Sequence, residues 1–254
     1  MFSVPRATSH ANRLLSSARS KSAASLATGW IESSQPLDFH RIRTWLASAY
    51  EALDTAPLTE QKTTEMLQEL EKLAHVNLFK SEVFDLVGHI VDLRVRQLSV
   101  LDLISALGIQ IRIDEAGNGR DTTKMVLAEL SSEARLDALG SLRSWREWLD
   151  CLQLVAQVNC PNADIVRTCA ENLSWSLGSM SAIDISLALS SMCKLEAKHS
   201  RLEENIIHIL PVIPCSDQEL DAIVSYLLVL KAGSEEDRKF LTDLVRFRKA
   251  SLLE

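Results

Sequence analysis

Five cysteines and six histidines are the most reactive side chains of this 254-residue sequence, and their spacing forms no reactive or metal-binding set. No two cysteines have Cys-x-x-Cys spacing, and no two histidines lie four apart, as a metal site on one helix face requires. The cysteines are odd in number, which does not indicate a disulfide scaffold. We therefore predict reduced, buried cysteines, no metal and no cofactor. The residues are Cys151, Cys160, Cys169, Cys193 and Cys215, and His10, His40, His75, His89, His199 and His208.

The stretch DEAGNGRD, residues 114–121, resembles the start of a calcium-binding loop. It lacks two ligands, because Ala116 stands at the third ligand position and Met125 at the twelfth, where a bidentate glutamate is needed. Phosphate-binding, serine-hydrolase and zinc-protease motifs are also absent from the sequence. We predict no enzyme activity and no small-molecule substrate. The alternative is an enzyme whose polar residues lie far apart in sequence and converge between helices.

Two clusters of basic residues are candidate binding sites. In RSWREW, an aromatic and arginine patch would stack on bases or anchor a partner protein, unless one tryptophan packs in the core and the arginines face solvent. Near the C-terminus, basic residues would contact RNA or phosphate, unless they only complement the helix dipole. The candidate partner anchor is Arg143, Trp145, Arg146 and Trp148, and the candidate RNA or phosphate contact is Arg238, Lys239, Arg246, Arg248 and Lys249.

A phrase that occurs four times predicts the helices that carry these residues. SVLDLISAL, SWREWLDCL, SAIDISLAL and SDQELDAIV begin at Ser99, Ser144, Ser181 and Ser216. In each, an acid follows the serine by three residues, which is the spacing of a helix capping box, and apolar residues then recur at helical spacing. The four starts are separated by 45, 37 and 35 residues. A helical-hairpin repeat has a period of this length.

The sequence therefore predicts an all-α fold, an α-solenoid of stacked antiparallel helical hairpins with ten or eleven helices. Second helices of the hairpins are predicted at 123–130, 163–177, 201–210 and 235–247, and less regular helices at 39–53, 58–73 and 83–93. The stretch IQIRID, residues 109–114, alternates like a strand, and we interpret it as the end of a helix. The predicted regions are 1–30, 31–97 (degenerate, capping repeats) and 98–254 (hairpin repeats). An irregular helical bundle is the alternative architecture.

The first thirty residues have the composition of a mitochondrial presequence. They contain four basic residues, many serines and alanines, and no acid, since the first acid is Glu32. A disordered basic tail of a cytosolic protein and a plastid signal are the alternatives. Removing these residues leaves 23 basic and 34 acidic side chains, a net charge of −11. Such an acidic body disfavours broad binding to phosphate backbones, while allowing a local basic patch. The apolar stretches are too short to span a membrane.

The phrases SAIDISLALSSMCKL at 181–195 and SVLDLISALGI at 99–109 resemble the first helix of the heptatricopeptide and octotricopeptide repeats. The resemblance covers residues 98–253. It implies a helical-repeat protein of an organelle, since such repeats occur in RNA-processing and ribosome-associated proteins. The chain has no RAP-type domain, which many of these proteins carry, and no base-recognition residues carry over.

These observations together predict a non-catalytic scaffold protein of the mitochondrial matrix that works in organellar gene expression. It would be a mitochondrial ribosome accessory subunit, an assembly factor or a member of an RNA-processing complex. Its expected partners are other proteins of a large mitochondrial assembly, with ribosomal RNA at a local basic patch as a further contact. The alternative is a lineage-specific structural subunit of a respiratory or ATP-synthase complex.

Overall fold

The structure is a computed structural model that describes residues 39–55, 59–76, 78–113 and 120–250. Every regular element in these ranges is a helix, which confirms the all-α class. The helices are α1 (Phe39–Thr55), α2 (Glu60–His75), α3 (Lys80–Arg94), α4 (Val100–Ile113), α5 (Arg120–Leu130), α6 (Glu133–Gly140), α7 (Trp145–Gln157), α8 (Ala163–Ser176), α9 (Ala182–Lys194), α10 (Ser200–Ile209), α11 (Asp217–Leu230) and α12 (Glu235–Ala250). The predicted presequence, residues 1–30, lies outside the described residues.

The predicted helices occur where the sequence pattern places them, and the described ranges contain twelve α-helices, one more than the upper number expected. The additional helix is the short α6. Residues 109–113 of the segment IQIRID are helical, as interpreted, because α4 continues through Ile113. Residues 114–119, which hold most of the calcium-loop resemblance, lie outside the described residues.

Helices α2, α4, α7, α9 and α11 lie side by side, each in contact with the next, and we call them the first row. Four of the five follow the repeated serine phrase. The remaining helices lie beside this row: α3 contacts α5, α6 contacts α8, and α8 contacts α10.

Polar side chains also join neighbours within the first row. Thr64 of α2 donates to Asp102 of α4 at 3.0 Å, and Ser105 of α4 donates to Glu71 of α2 at 2.7 Å.

The apolar side chains that recur at helical spacing in the repeated phrase form the core beneath the first row. The buried residues from that prediction are Leu103, Ala106, Leu107, Trp148, Cys151, Leu152, Val155, Ile185, Ala188, Leu189, Met192, Leu220, Ile223, Val224 and Leu227. Leu228, which follows Leu220 by eight residues and therefore continues the same helical spacing, is 37% exposed. Burying a large aliphatic side chain stabilises the fold by about 1.5–3 kcal/mol, so this face supplies most of the energy that holds the row together.

Three of the four predicted capping boxes form in full. In each, the serine hydroxyl accepts the N–H of the acid, and the carboxylate accepts the N–H of the serine. The pairs are Ser99–Asp102, Ser181–Asp184 and Ser216–Glu219, with carboxylate-to-nitrogen distances of 3.2, 3.0 and 2.6 Å. The backbone and hydroxyl hydrogen bonds from Ser216 lower the pKa of Glu219 below its ordinary value. Ser144 caps α7 differently, because its hydroxyl accepts the N–H of Arg146 at 3.3 Å.

A further capping box, not predicted from the sequence, begins α12. Ser234 donates its N–H to Asp237 at 2.8 Å, and its hydroxyl accepts the Asp237 N–H at 3.1 Å. Gly233 precedes it with a φ of +66°, and a Cβ there would lie 2.8 Å from the Asp237 carboxylate. Glycine is therefore required in this turn, both for its conformation and for the close approach of the carboxylate.

Helix α6 explains why the repeated phrases are not evenly spaced. It lies in the longest interval, the 45 residues between Ser99 and Ser144. In the other hairpins that begin with the phrase, a single helix follows the first-row helix, whereas α4 is followed by both α5 and α6. The insertion leaves α4 in contact with α7, so the first row continues past it.

The described cysteines form no disulfide with one another, and the prediction that they are buried holds for two of the five. Cys151 and Cys169 are buried, and the other three are partly buried against the core. A hydrogen bond with Cys151, together with burial, raises the pKa of Cys169 well above its ordinary value. Among the described helices, none is both long enough and apolar enough to cross a membrane.

The capping boxes can be tested with Ser181→Ala. Loss of the hydroxyl removes the bond to the Asp184 N–H, so we expect the free energy of unfolding to fall by about 1 kcal/mol. The measurement is urea denaturation followed by circular dichroism. Ser200→Ala is the control, because Ser200 is exposed at the start of α10, and a change there should stay within about 0.5 kcal/mol. Equal losses in the two variants would contradict the capping role of Ser181.

Candidate functional site

The structure separates the four residues of the candidate partner anchor. Trp148 is only 7% exposed, and its Nε1 donates to the Leu139 carbonyl at 2.7 Å. Because Leu139 lies in α6, this hydrogen bond attaches α6 to α7. Trp148 is therefore a core residue and is removed from the candidate surface patch.

The rest of that patch is a small surface feature at the start of α7. Trp145 is half-buried against the core, and Arg143 and Arg146 are exposed. The Arg146 guanidinium lies 5.2 Å from the centre of the Trp145 ring, within the range of a cation–π contact. One aromatic ring that already has a cation beside it makes a smaller anchor than the four-residue patch expected from the sequence.

The described basic side chains near the C-terminus, those of Arg238, Lys239 and Arg246, have separate surroundings. Arg238 donates to the Gly233 carbonyl at 2.9 Å and so satisfies backbone just beyond the end of α11, while Lys239 is exposed. Arg246 pairs with Asp243 at 3.6 Å on the surface of α12. The side chains of Arg248 and Lys249 lie outside the described residues. A continuous cationic surface for RNA is not present among the described side chains of this helix.

An open groove of about 810 Å³ lies where α6, α8 and the start of α10 meet, and sequence reasoning missed it. Four carboxylates line it, from Glu133 and Asp137 of α6 and from Asp164 and Glu171 of α8. The groove also contains Arg167, which pairs with Asp164 at 2.9 Å. Its lining therefore carries an excess of negative charge, which favours a cationic occupant.

A connected set of side chains closes the α10 end of this groove. Glu171 accepts from Arg201 at 2.8 Å and lies 3.2 Å from His199 Nε2. His199 Nδ1 accepts the Leu202 N–H at 3.2 Å as the N-cap of α10, so the neutral ring carries its proton on Nε2, facing Glu171. Both ring nitrogens of His199 therefore make structural contacts, Nδ1 with the first turn of α10 and Nε2 with Glu171.

An exposed tryptophan of α8 lies just beyond the groove lining. Trp175 is 68% exposed and follows Glu171 by one helical turn. The Arg201 guanidinium lies 3.6 Å from the centre of its ring, which holds the indole in a fixed orientation. Tryptophan and arginine are the residue types enriched at the energetic centres of protein interfaces, so this pair makes Trp175 a candidate contact point. The spacing of Asp164, Glu171 and Trp175 along α8 was the one signal of this surface in the sequence.

The described residues contain no group of three or more histidine, cysteine or acidic side chains that could hold a metal ion. Comparison of the chain with protein-family models, with curated proteins and with solved structures found no match in any of the three. The row of helices and the acidic groove are thus the features from which a function is inferred.

The structural role of Trp148 can be tested with Trp148→Phe. The substitution removes the donor to the Leu139 carbonyl and reduces the buried volume, so we expect the free energy of unfolding to fall by about 2–3 kcal/mol. Trp145→Phe is the matched control, because that ring is half-buried and its loss should cost less. Thermal and urea denaturation measure both. A larger loss for Trp145→Phe would contradict the assignment of Trp148 to the core.

Proposed function

We propose that this chain is a non-catalytic mitochondrial scaffold protein of organellar gene expression, built as an α-solenoid. In that role it is an accessory subunit of the mitochondrial ribosome, an assembly factor or a member of an RNA-processing complex. The observation that supports the proposal best is the first row, in which each helix packs on the next. Helices stacked in this way present long surfaces, and such surfaces bind other chains without a reactive centre.

The chemistry of the surface supports protein partners more than RNA. The chain without its first thirty residues has a net charge of −11, and of the described basic residues of α12, Arg238 lies next to a backbone carbonyl and Arg246 next to an acid. Phosphate backbones are bound mainly by lysine and arginine that release counterions. Proteins of nucleic-acid machines are rich in these cations, so the acidic groove between α6, α8 and α10 suits a basic segment of such a protein.

The mitochondrial assignment comes from the composition of residues 1–30, which lie outside the described part of the chain. Their four basic residues and lack of acids fit a cationic amphipathic presequence. The same assignment is implied by the resemblance of the repeated phrases to organellar helical repeats. The gene-expression role rests on that resemblance together with the protein-binding surface.

The assembly can be identified by density-gradient sedimentation of a mild-detergent lysate of mitochondria that contain this protein. We expect the protein to migrate with ribosomal particles and to move to lighter fractions after RNase treatment, because the RNA holds the particle together. Mass spectrometry of the fractions makes the measurement, and a soluble matrix enzyme marks the top of the gradient. Migration with a respiratory or ATP-synthase complex, unchanged by RNase, would contradict the proposal and favour a structural subunit of that complex.

The groove can be tested with Trp175→Ala in the same gradient. We expect the variant to leave the large particle, while its free energy of unfolding stays within about 0.5 kcal/mol because the ring is mostly exposed. Leu93→Ala is the control, since Leu93 is 51% exposed on α3, a helix that contributes neither Trp175 nor any lining residue of the groove, and its loss should not change migration. If both variants migrate as the unmodified protein does, the surface formed by Trp175 and the adjoining end of the groove is not the docking surface.

A further inference from the structure

One side of α12 carries apolar and charged side chains that face solvent. Leu241 is buried on the opposite side, and Leu244 and Val245 pack partly against the core. The exposed residues recur at intervals of three and four positions, so they form one stripe along the helix. We call it the α12 outer face; it consists of Glu236, Lys239, Phe240, Asp243, Arg246 and Phe247.

The two aromatic residues of this face are unusual for a surface helix. Phe240 is 43% exposed and Phe247 is 75% exposed. They are seven residues apart, which places them two turns apart on the same side of α12. Two exposed phenylalanines in one stripe indicate an interaction surface, because phenylalanine gains from leaving water.

The order of charges on the α12 outer face shows what kind of surface would fit it. Acids and bases alternate along the helix, from Glu236 through Lys239 and Asp243 to Arg246. The outer pair, Glu236 and Arg246, and the inner pair, Lys239 and Asp243, are both centred on position 241. A second copy of the same helix, running antiparallel and centred there, therefore meets each of these four charges with its opposite.

We infer that the α12 outer face is an interface between two copies of this chain, related by a two-fold axis near Leu241. Glu236 of each copy pairs with Arg246 of the other, and Lys239 of each pairs with Asp243 of the other. A parallel arrangement would instead place like charges together. The antiparallel arrangement brings Phe240 next to its own counterpart at the axis and places each Phe247 against the first turn of the opposite helix.

The alternation of charge also favours a second copy of this chain over a nucleic acid as the partner of the α12 outer face. A phosphate backbone needs cations without nearby acids. On this face the Arg246 guanidinium already lies 3.6 Å from the Asp243 carboxylate of its own chain. In the dimer, Arg246 can pair with both this Asp243 and Glu236 of the second copy. The interface is self-complementary, as two-fold interfaces between identical chains must be.

The interface is small, so we expect the two copies to associate weakly. Helix α12 has 16 residues and is about 24 Å long. A single helix pair of this length covers less than the roughly 800 Å² per partner of a standard interface. The dimer should therefore form and dissociate with concentration in the micromolar range, independently of the role proposed above.

The test is sedimentation velocity of the full chain under reducing conditions, from low to high micromolar concentration. The unmodified protein should change from monomer to dimer over this range. Glu236→Arg and Arg246→Glu should each raise the dissociation constant at least about tenfold, since each places two pairs of like charges across the interface. The double variant with both substitutions should return to within about threefold of the unmodified protein.

The rescue cannot come from a more stable helix. Both substitutions oppose the α12 dipole, because they place a cation near its N-terminus and an anion near its C-terminus. Their combination should therefore destabilise α12 more than either alone, which circular dichroism can measure. Glu204→Arg, at an exposed acid of α10, makes the same charge change elsewhere and should leave dimerisation unchanged.

Phe240→Asp provides a second variant that acts on the apolar contact. It should abolish the dimer while leaving the helical circular dichroism signal intact, because Phe240 is partly exposed in the single copy. A monomer at every concentration for the unmodified protein would overturn the inference. A dimer that survives Phe240→Asp, or a double variant no better than the single ones, would overturn it as well.

Discussion

The dependence of each helix on its neighbours is the constraint that explains this architecture. The described helices are 8 to 17 residues long, a length at which isolated helices are marginal in water. Helix α9 shows how the fold compensates. It lies between α7 and α11 and buries Ile185, Leu189 and Met192 beneath the row. A serine N-cap contributes about 1 kcal/mol, less than one buried aliphatic side chain. The caps therefore determine where each helix begins, and packing determines that it forms.

This division of roles explains which parts of the fold could be predicted from the sequence. The serine and acid of a capping box are three residues apart, so Ser181 and Asp184 are recognisable without knowledge of the fold. The apolar spacing after them is equally local and predicted the buried face of α9. Helix α6 was missed because only Leu139 of its residues is buried and it carries no side-chain cap.

The candidate surfaces were harder to predict, because they depend on residues that are distant in sequence. The groove needs α6, which the pattern did not show, and it joins Glu133 to His199 across 66 positions. Trp148 and Trp145 have the same side chain and lie three residues apart, yet only one enters the core, because only one reaches the Leu139 carbonyl. Arg238 was predicted to contact RNA or phosphate, but its guanidinium donates a hydrogen bond to the Gly233 carbonyl. Composition indicated the classes of residue involved but not their partners.

The contacts along the first row also have a consequence for how the chain acquires its structure. The main helix contacts join helices that are consecutive in sequence or separated by one or two others, so few contacts need a large loop to close first. Proteins dominated by such short-range contacts have low contact order and fold quickly. When the chain is synthesised from its N-terminus, α4 can pack on α2, then α7 on α4, and so on towards α11. Each step covers the apolar face of the helix before it, which shortens the time during which that face is open to aggregation.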